Sequence, residues 1–222
     1  MDLGAAVDLY CERSGPGLFA EPLNALSNFA FLGASVWLLR RLRRDAGTPG
    51  YARLLAALIF LIGLGSLAFH TFAQVWAEIL DVGCIALFIY FFVACFFRRF
   101  LGWRWELAVL AMPGFWVFGK AITALFAPGA LNGSVDYLPA FAGLVLMAAA
   151  LRLRGQRASA WLTLAAAVFL ASLGFRTFDL AWCARFPLGT HWIWHTLNAV
   201  VLSLATLSLA AGPDENPRET RT

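Results

Sequence analysis

Seven stretches of predominantly apolar residues, each near the 20 that a membrane helix needs, run through this 222-residue chain. They lie at about 22–42, 52–73, 76–97, 104–125, 134–152, 158–178 and 190–211, joined by short connections. Such a segment crosses the hydrocarbon core as a helix, because a helix satisfies its own backbone donors and acceptors where there is no water. The pattern predicts an all-α integral membrane protein, a seven-transmembrane helix bundle forming a single domain over residues 1–211, with successive helices antiparallel. Composition agrees, with 61% hydrophobic and 14% charged residues, against ~45–50% and ~25% in an ordinary soluble domain. Pro113 and Pro139 fall inside spans and predict kinks. The opening stretch MDLGAAVDLYCERSG lacks the cationic and then apolar pattern of a signal peptide. The tail GPDENPRETRT, residues 212–222, is polar and predicts disorder on the cytoplasmic side.

The basic residues set the orientation. One set of flanks holds 13 arginines, namely 40, 41, 43, 44, 53, 98, 99, 104, 152, 154, 157, 218 and 221. The other holds only Arg13, Lys120, Arg176 and Arg185. By the positive-inside rule the N-terminus, with residues 1–21, is outside and the C-terminus is cytoplasmic. These clusters account for the net charge of +4 and call for no nucleic-acid partner. A compact chain with short loops and no organelle-retention signal fits a bacterial inner membrane.

With that orientation the only three histidines share one depth. His70 ends the second span in GLGSLAFH, while His191 and His195 begin the seventh in THWIWH. All three sit within about 10 Å of the outer surface. His191 and His195 are four apart and leave one helix face, a spacing that lets two imidazoles hold one metal. A third histidine from another helix, with water in the fourth position, gives a catalytic zinc pattern. The competing reading of HWIWH is an interfacial aromatic belt. Two polar residues reach the same level and favour the metal: Ser66, one turn deeper than His70, and Asp81, opening the third span. A carboxylate inside a span is costly and marks function by default, although a structural bond to Lys120 would also account for it. Cys84 and Cys95 lie inside a span and read as apolar filler. Arg176 and Asp179, three apart, read as an ion pair, and Asn24 and Asn28 as hydrogen-bonding to neighbouring helices.

GLGSLAFH, Asp81 eleven residues beyond His70, and HWIWH on the last span together resemble the alkaline ceramidase family. That family belongs to a wider superfamily of seven-span metal-dependent hydrolases that includes the adiponectin receptors. Ser66, His70, Asp81, His191 and His195 match its signature in identity and spacing. LYCERSGPGLFAEPLNALSN (9–28) and FDLAWC (178–183) look like two further segments of the ceramidase branch, and the likeness runs the length of the chain.

The resemblance implies hydrolysis of ceramide or a related N-acyl lipid to a fatty acid and an amine. His70, His191 and His195 would be the zinc ligands, with Asp81 and Ser66 catalytic. It also implies Ca²⁺ in the N-terminal segment, on Asp8, the Tyr10 carbonyl, Glu12, Ser14 and Glu21. Here the chain departs from the family. Anchored on Cys11, the family's aspartate falls on Leu9, and the Glu12–Glu21 spacing is shorter; a solvated acidic segment is the alternative. A disulfide between Cys11 and Cys183 and a second-shell role for Asp179 are implied in the same way. Besides the enzyme, a zinc-binding receptor or lipid sensor without turnover fits seven spans. Either would have a lipid and the bilayer as partners.

Overall fold

The computed structural model describes residues 2–15 and 17–214; the expected disorder falls mainly on 215–222, outside the described residues. Seven helical segments are long and apolar enough to cross a membrane. The first span divides into α1 (Pro22–Ser27) and α2 (Phe29–Arg43). Then come α3 (Gly50–Phe72), α4 (Val75–Phe100) and α5 (Trp105–Thr123). A 3₁₀ segment (Ala130–Tyr137) leads into α6 (Leu138–Leu153), followed by α7 (Ser159–Trp182) and α8 (His191–Ala211). The chain is therefore a multi-pass integral membrane protein. The bundle closes on itself, α8 packing against α7, α2, α3 and α4. That central position explains why α8 is the most buried span and α5 the least.

Two details differ from the sequence expectation. Pro113 lies inside α5, but Pro139 sits in the first turn of α6, where its missing N–H costs nothing, so it starts a helix rather than kinking one. The first span is interrupted at Asn28 because side chains there bond their own backbone. Ser27 Oγ and Asn28 Nδ2 both donate to the Asn24 carbonyl, at 2.7 and 2.9 Å. Asn24 Nδ2 donates to Glu21. Neither asparagine makes the inter-helix bond expected of it among the described residues.

The N-terminal segment is tied down at several points. Val7 N–H donates to the Ala73 carbonyl and Val75 N–H to the Ala5 carbonyl, pairing the segment with the α3–α4 turn. Cys11 and Cys183 are joined by a disulfide, while Cys84 and Cys95 are free. Small residues bring the site-bearing helices close. A Cβ on Gly65 would lie 3.3 Å from Asp81 Cα, so α3 and α4 touch backbone to backbone beside Ser66.

Candidate metal centre

His70 comes from the last turn of α3, and His191 and His195 from the first two turns of α8. All three are at most 3% exposed. One ligating nitrogen from each lies within 4.8 Å of the others. Among the described residues this is the one convergence of three such side chains.

The hydrogen bonds fix which nitrogens face inward. Glu21 Oε2 lies 2.6 Å from His70 Nδ1. Burial alone would push the Glu21 carboxyl up. His70, Asn24 and Arg13 together outweigh it and hold the group below the usual carboxylate range. A carboxylate accepts, so His70 Nδ1–H donates to it and Nε2 is the nitrogen turned toward the other imidazoles. Ser27 Oγ lies 2.7 Å from His195 Nδ1. Its one proton is already given to the Asn24 carbonyl, so His195 Nδ1 must also donate. The Nε2 atoms of the two rings face each other 3.1 Å apart, a separation that suits a shared proton or a shared metal ion. Nitrogens held tetrahedrally at 2.0–2.1 Å from zinc would be about 3.3 Å apart. His191 Nδ1 is buried with no hydrogen-bond partner. A set of three imidazoles, two of them oriented by Glu21 and Ser27, fits a transition-metal ion such as zinc.

α8 begins where it does because Asp179 receives it. Asp179 Oδ1 accepts the N–H groups of Thr190 (2.6 Å) and His191 (2.9 Å), and Oδ2 accepts that of Cys11 (2.9 Å). A buried carboxylate at a helix N-terminus is favoured by the helix dipole. The expected Arg176–Asp179 ion pair is thus not formed. Arg176 instead donates to the Asn132 carbonyl and Ser134 Oγ and lies over the Tyr137 and Trp194 rings. Gly189 completes the junction with φ +64°, and a Cβ there would collide with Asp179 Oδ1 and Cys11 Cβ. Gly189→Ala should destabilise the protein by about 1 kcal/mol or more, read as a lower thermal midpoint with the disulfide intact.

Ser66 and Asp81 line the cavity that holds His191 and His195. Asp81 Oδ1 is buried without a hydrogen-bond partner, and no ion pair joins it to Lys120 among the described residues. The cavity continues along an apolar lining that includes Phe88, Phe92, Met147 and Leu202. A second hollow of about 460 Å³ shares Tyr10, Asp81 and Tyr137 with it. It opens between α4, α5 and the 3₁₀ segment, with Glu78, Lys120 and Arg176 among its lining residues.

The residues implied for calcium do not form a ligand cluster. Glu12 accepts the N–H groups of Leu23 (2.6 Å) and Asn24 (2.8 Å). Burial pushes the Glu12 carboxyl up, and these two donors only partly offset that. Glu21 Oε1 takes Arg13 Nε at 2.5 Å, while Oε2 takes His70 and Asn24. The Arg13 guanidinium is itself almost wholly buried. Tyr10 stacks its ring on His191, centroids 3.6 Å apart, and its carbonyl receives Arg13 N–H. Asp8 is exposed and Ser14 makes no hydrogen bond in this group. Calcium wants six to eight oxygens. The buried acceptors left unpartnered nearby are Asn24 Oδ1 and Asn28 Oδ1, too few for that ion, alongside an unpartnered donor, Arg13 Nη2. The donor set does not fit the ion; an arginine supplies the positive charge.

The roles of Ser27, Tyr10 and Glu21 around the imidazoles escape sequence reasoning. Ser27 stands in the AEPLNALSN segment, but nothing in its spacing points to a histidine 168 residues away. Compared with protein-family models and with curated protein sequences, the chain matches none, so the reading of the site rests on its geometry.

Proposed function

We infer that the chain is an intramembrane, zinc-dependent lipid amidase, cleaving ceramide or a related N-acyl lipid to a fatty acid and an amine. One observation carries this reading. Two of the three convergent imidazoles, His191 and His195, line an apolar cavity together with Asp81, whose buried Oδ1 has no hydrogen-bond partner. A histidine cluster alone suits binding; a free carboxylate beside it supplies the base that hydrolysis needs.

Zinc in the site would supply a Lewis acid and an acidified water. The chain's own groups do the rest. Asp81 takes a proton from that water and returns it to the departing amine, a role supported by the lack of any other partner for its Oδ1. The Ser66 hydroxyl lines the same cavity and can donate to the amide oxygen as charge builds on it. The lining of Phe88, Phe92, Met147 and Leu202 takes a hydrocarbon chain and excludes bulk water. With the orientation given by the arginine flanks, the site faces the outer leaflet, the periplasmic side of a bacterial inner membrane.

The test is metal analysis of the purified protein together with amidase assays on ceramides and N-acyl amino lipids of varied acyl length. One zinc per chain with release of fatty acid is the expected result. Zinc without turnover of any lipid amide would favour the receptor or sensor. Absence of stoichiometric zinc would defeat both.

A further inference from the structure

At the opposite end of the bundle from the histidines, Arg40, Arg41 and Arg44 close α2, and the turn after it carries Asp45 and Thr48. With Trp161 of α7 and Leu207 and Ala210 of α8 they line a hollow of about 520 Å³. Asp45 also lines the hollow, and its Oδ1 accepts the Gly47 N–H. Among the described residues no carboxylate pairs with the three arginines. Arg41 lies against the Trp37 ring, 6.0 Å from its centroid. Thr48 is 3% exposed, yet its hydroxyl has no hydrogen-bond partner. The hollow thus offers three guanidinium groups outside any ion pair and an orphaned hydroxyl, a donor set for phosphate oxygens whose three positive charges outnumber the one carboxylate of Asp45.

The hollow does not end there. Trp37, Arg41, Trp161 and Leu207 also line an apolar groove between α2 and α8, floored by small side chains such as Ala30, Ala34 and Ala199. The groove runs from Arg41 to Ala30 on α2 and from Leu207 to Thr196 on α8. Eleven residues of helix measure about 16 Å, close to half of a ~30 Å hydrocarbon core. A basic head site leading into a trough one leaflet deep has the shape and charge of one kind of molecule.

We propose that this face holds an anionic diacyl phospholipid, its phosphate on Arg40, Arg41, Arg44 and Thr48 and one acyl chain in the α2–α8 groove. The site is independent of the metal centre. A dispersed arginine flank attracts acidic headgroups loosely; here a preformed groove adds apolar contact along the chain.

Native mass spectrometry and thermal melting test the proposal. The purified protein would be given phosphatidylglycerol, phosphatidylcholine or inorganic phosphate. One phosphatidylglycerol per chain should survive detergent exchange and raise the melting temperature, with phosphatidylcholine and inorganic phosphate doing neither. Arg40→Gln/Arg41→Gln/Arg44→Gln should reduce retention at least about tenfold. Ala34→Leu, which fills the trough and leaves every charge in place, should also release the lipid. Equal retention of phosphatidylcholine, stabilisation by inorganic phosphate alone, or unchanged retention in either variant overturns the proposal.

Discussion

Asp81→Asn is expected to cut lipid-amide hydrolysis by about 10²–10⁴-fold, the usual contribution of a positioned general base, while zinc content stays at one per chain. The substitution keeps shape and volume and removes only the ability to take a proton. It leaves the three imidazoles in place and breaks no hydrogen bond of Asp81 Oδ1, which has none. Turnover near wild type would remove Asp81 from the chemistry. Loss of zinc along with activity would make it a structural support of the metal centre. His195→Ala gives the contrasting control, in which metal and activity disappear together.

Glu21→Gln is expected to weaken zinc binding about 10–100-fold, the range found when a second-shell partner of a metal-bound histidine is lost. Glu21 accepts from His70 Nδ1–H at 2.6 Å and so turns the opposite nitrogen toward the other two imidazoles. Its amide counterpart could present N–H toward the ring and reverse that preference. Arg13→Ala should act in the same direction, because it removes one of the partners that, with His70 and Asn24, hold the buried Glu21 carboxyl down. Competition with a zinc chelator reads both. Millimolar calcium should leave the wild-type melting temperature unchanged, since Glu12 and Glu21 are already committed to protein donors. A calcium-dependent rise lost in Glu21→Gln would show that the ion displaces Arg13.

The spans were legible because hydrophobic length is a one-dimensional property. Each apolar window corresponds to a helical segment of the structure within a few residues. The break at Asn28 was not, since it depends on two side chains sharing one carbonyl. His70, His191 and His195 were legible because helical spacing and equal depth are both countable along the chain. Their supports were not. Glu21 and Ser27 reach the imidazoles only through the packing of α1 against α3 and α8. Helical spacing also misled at Arg176 and Asp179. Residues three apart share a face, but Asp179 is claimed by backbone N–H groups from two other segments. The pairing of Cys11 with Cys183, implied by family likeness, is present in the structure.

The N-terminal segment lies over the imidazoles, with Tyr10 stacked on His191 and the strap secured at Ala73, Cys183 and Asp179. The three imidazoles are buried beneath it, and the hollow between α4, α5 and the 3₁₀ segment reaches Asp81. For a catalyst reached sideways through lipid, the quantity that sets the rate is the mole fraction of substrate in the membrane plane. Adding inert phospholipid at constant bulk concentration then slows turnover, whereas diluting the whole suspension with buffer leaves the rate per protein unchanged. Its Michaelis constant carries units of surface composition, and encounter becomes a two-dimensional diffusion problem.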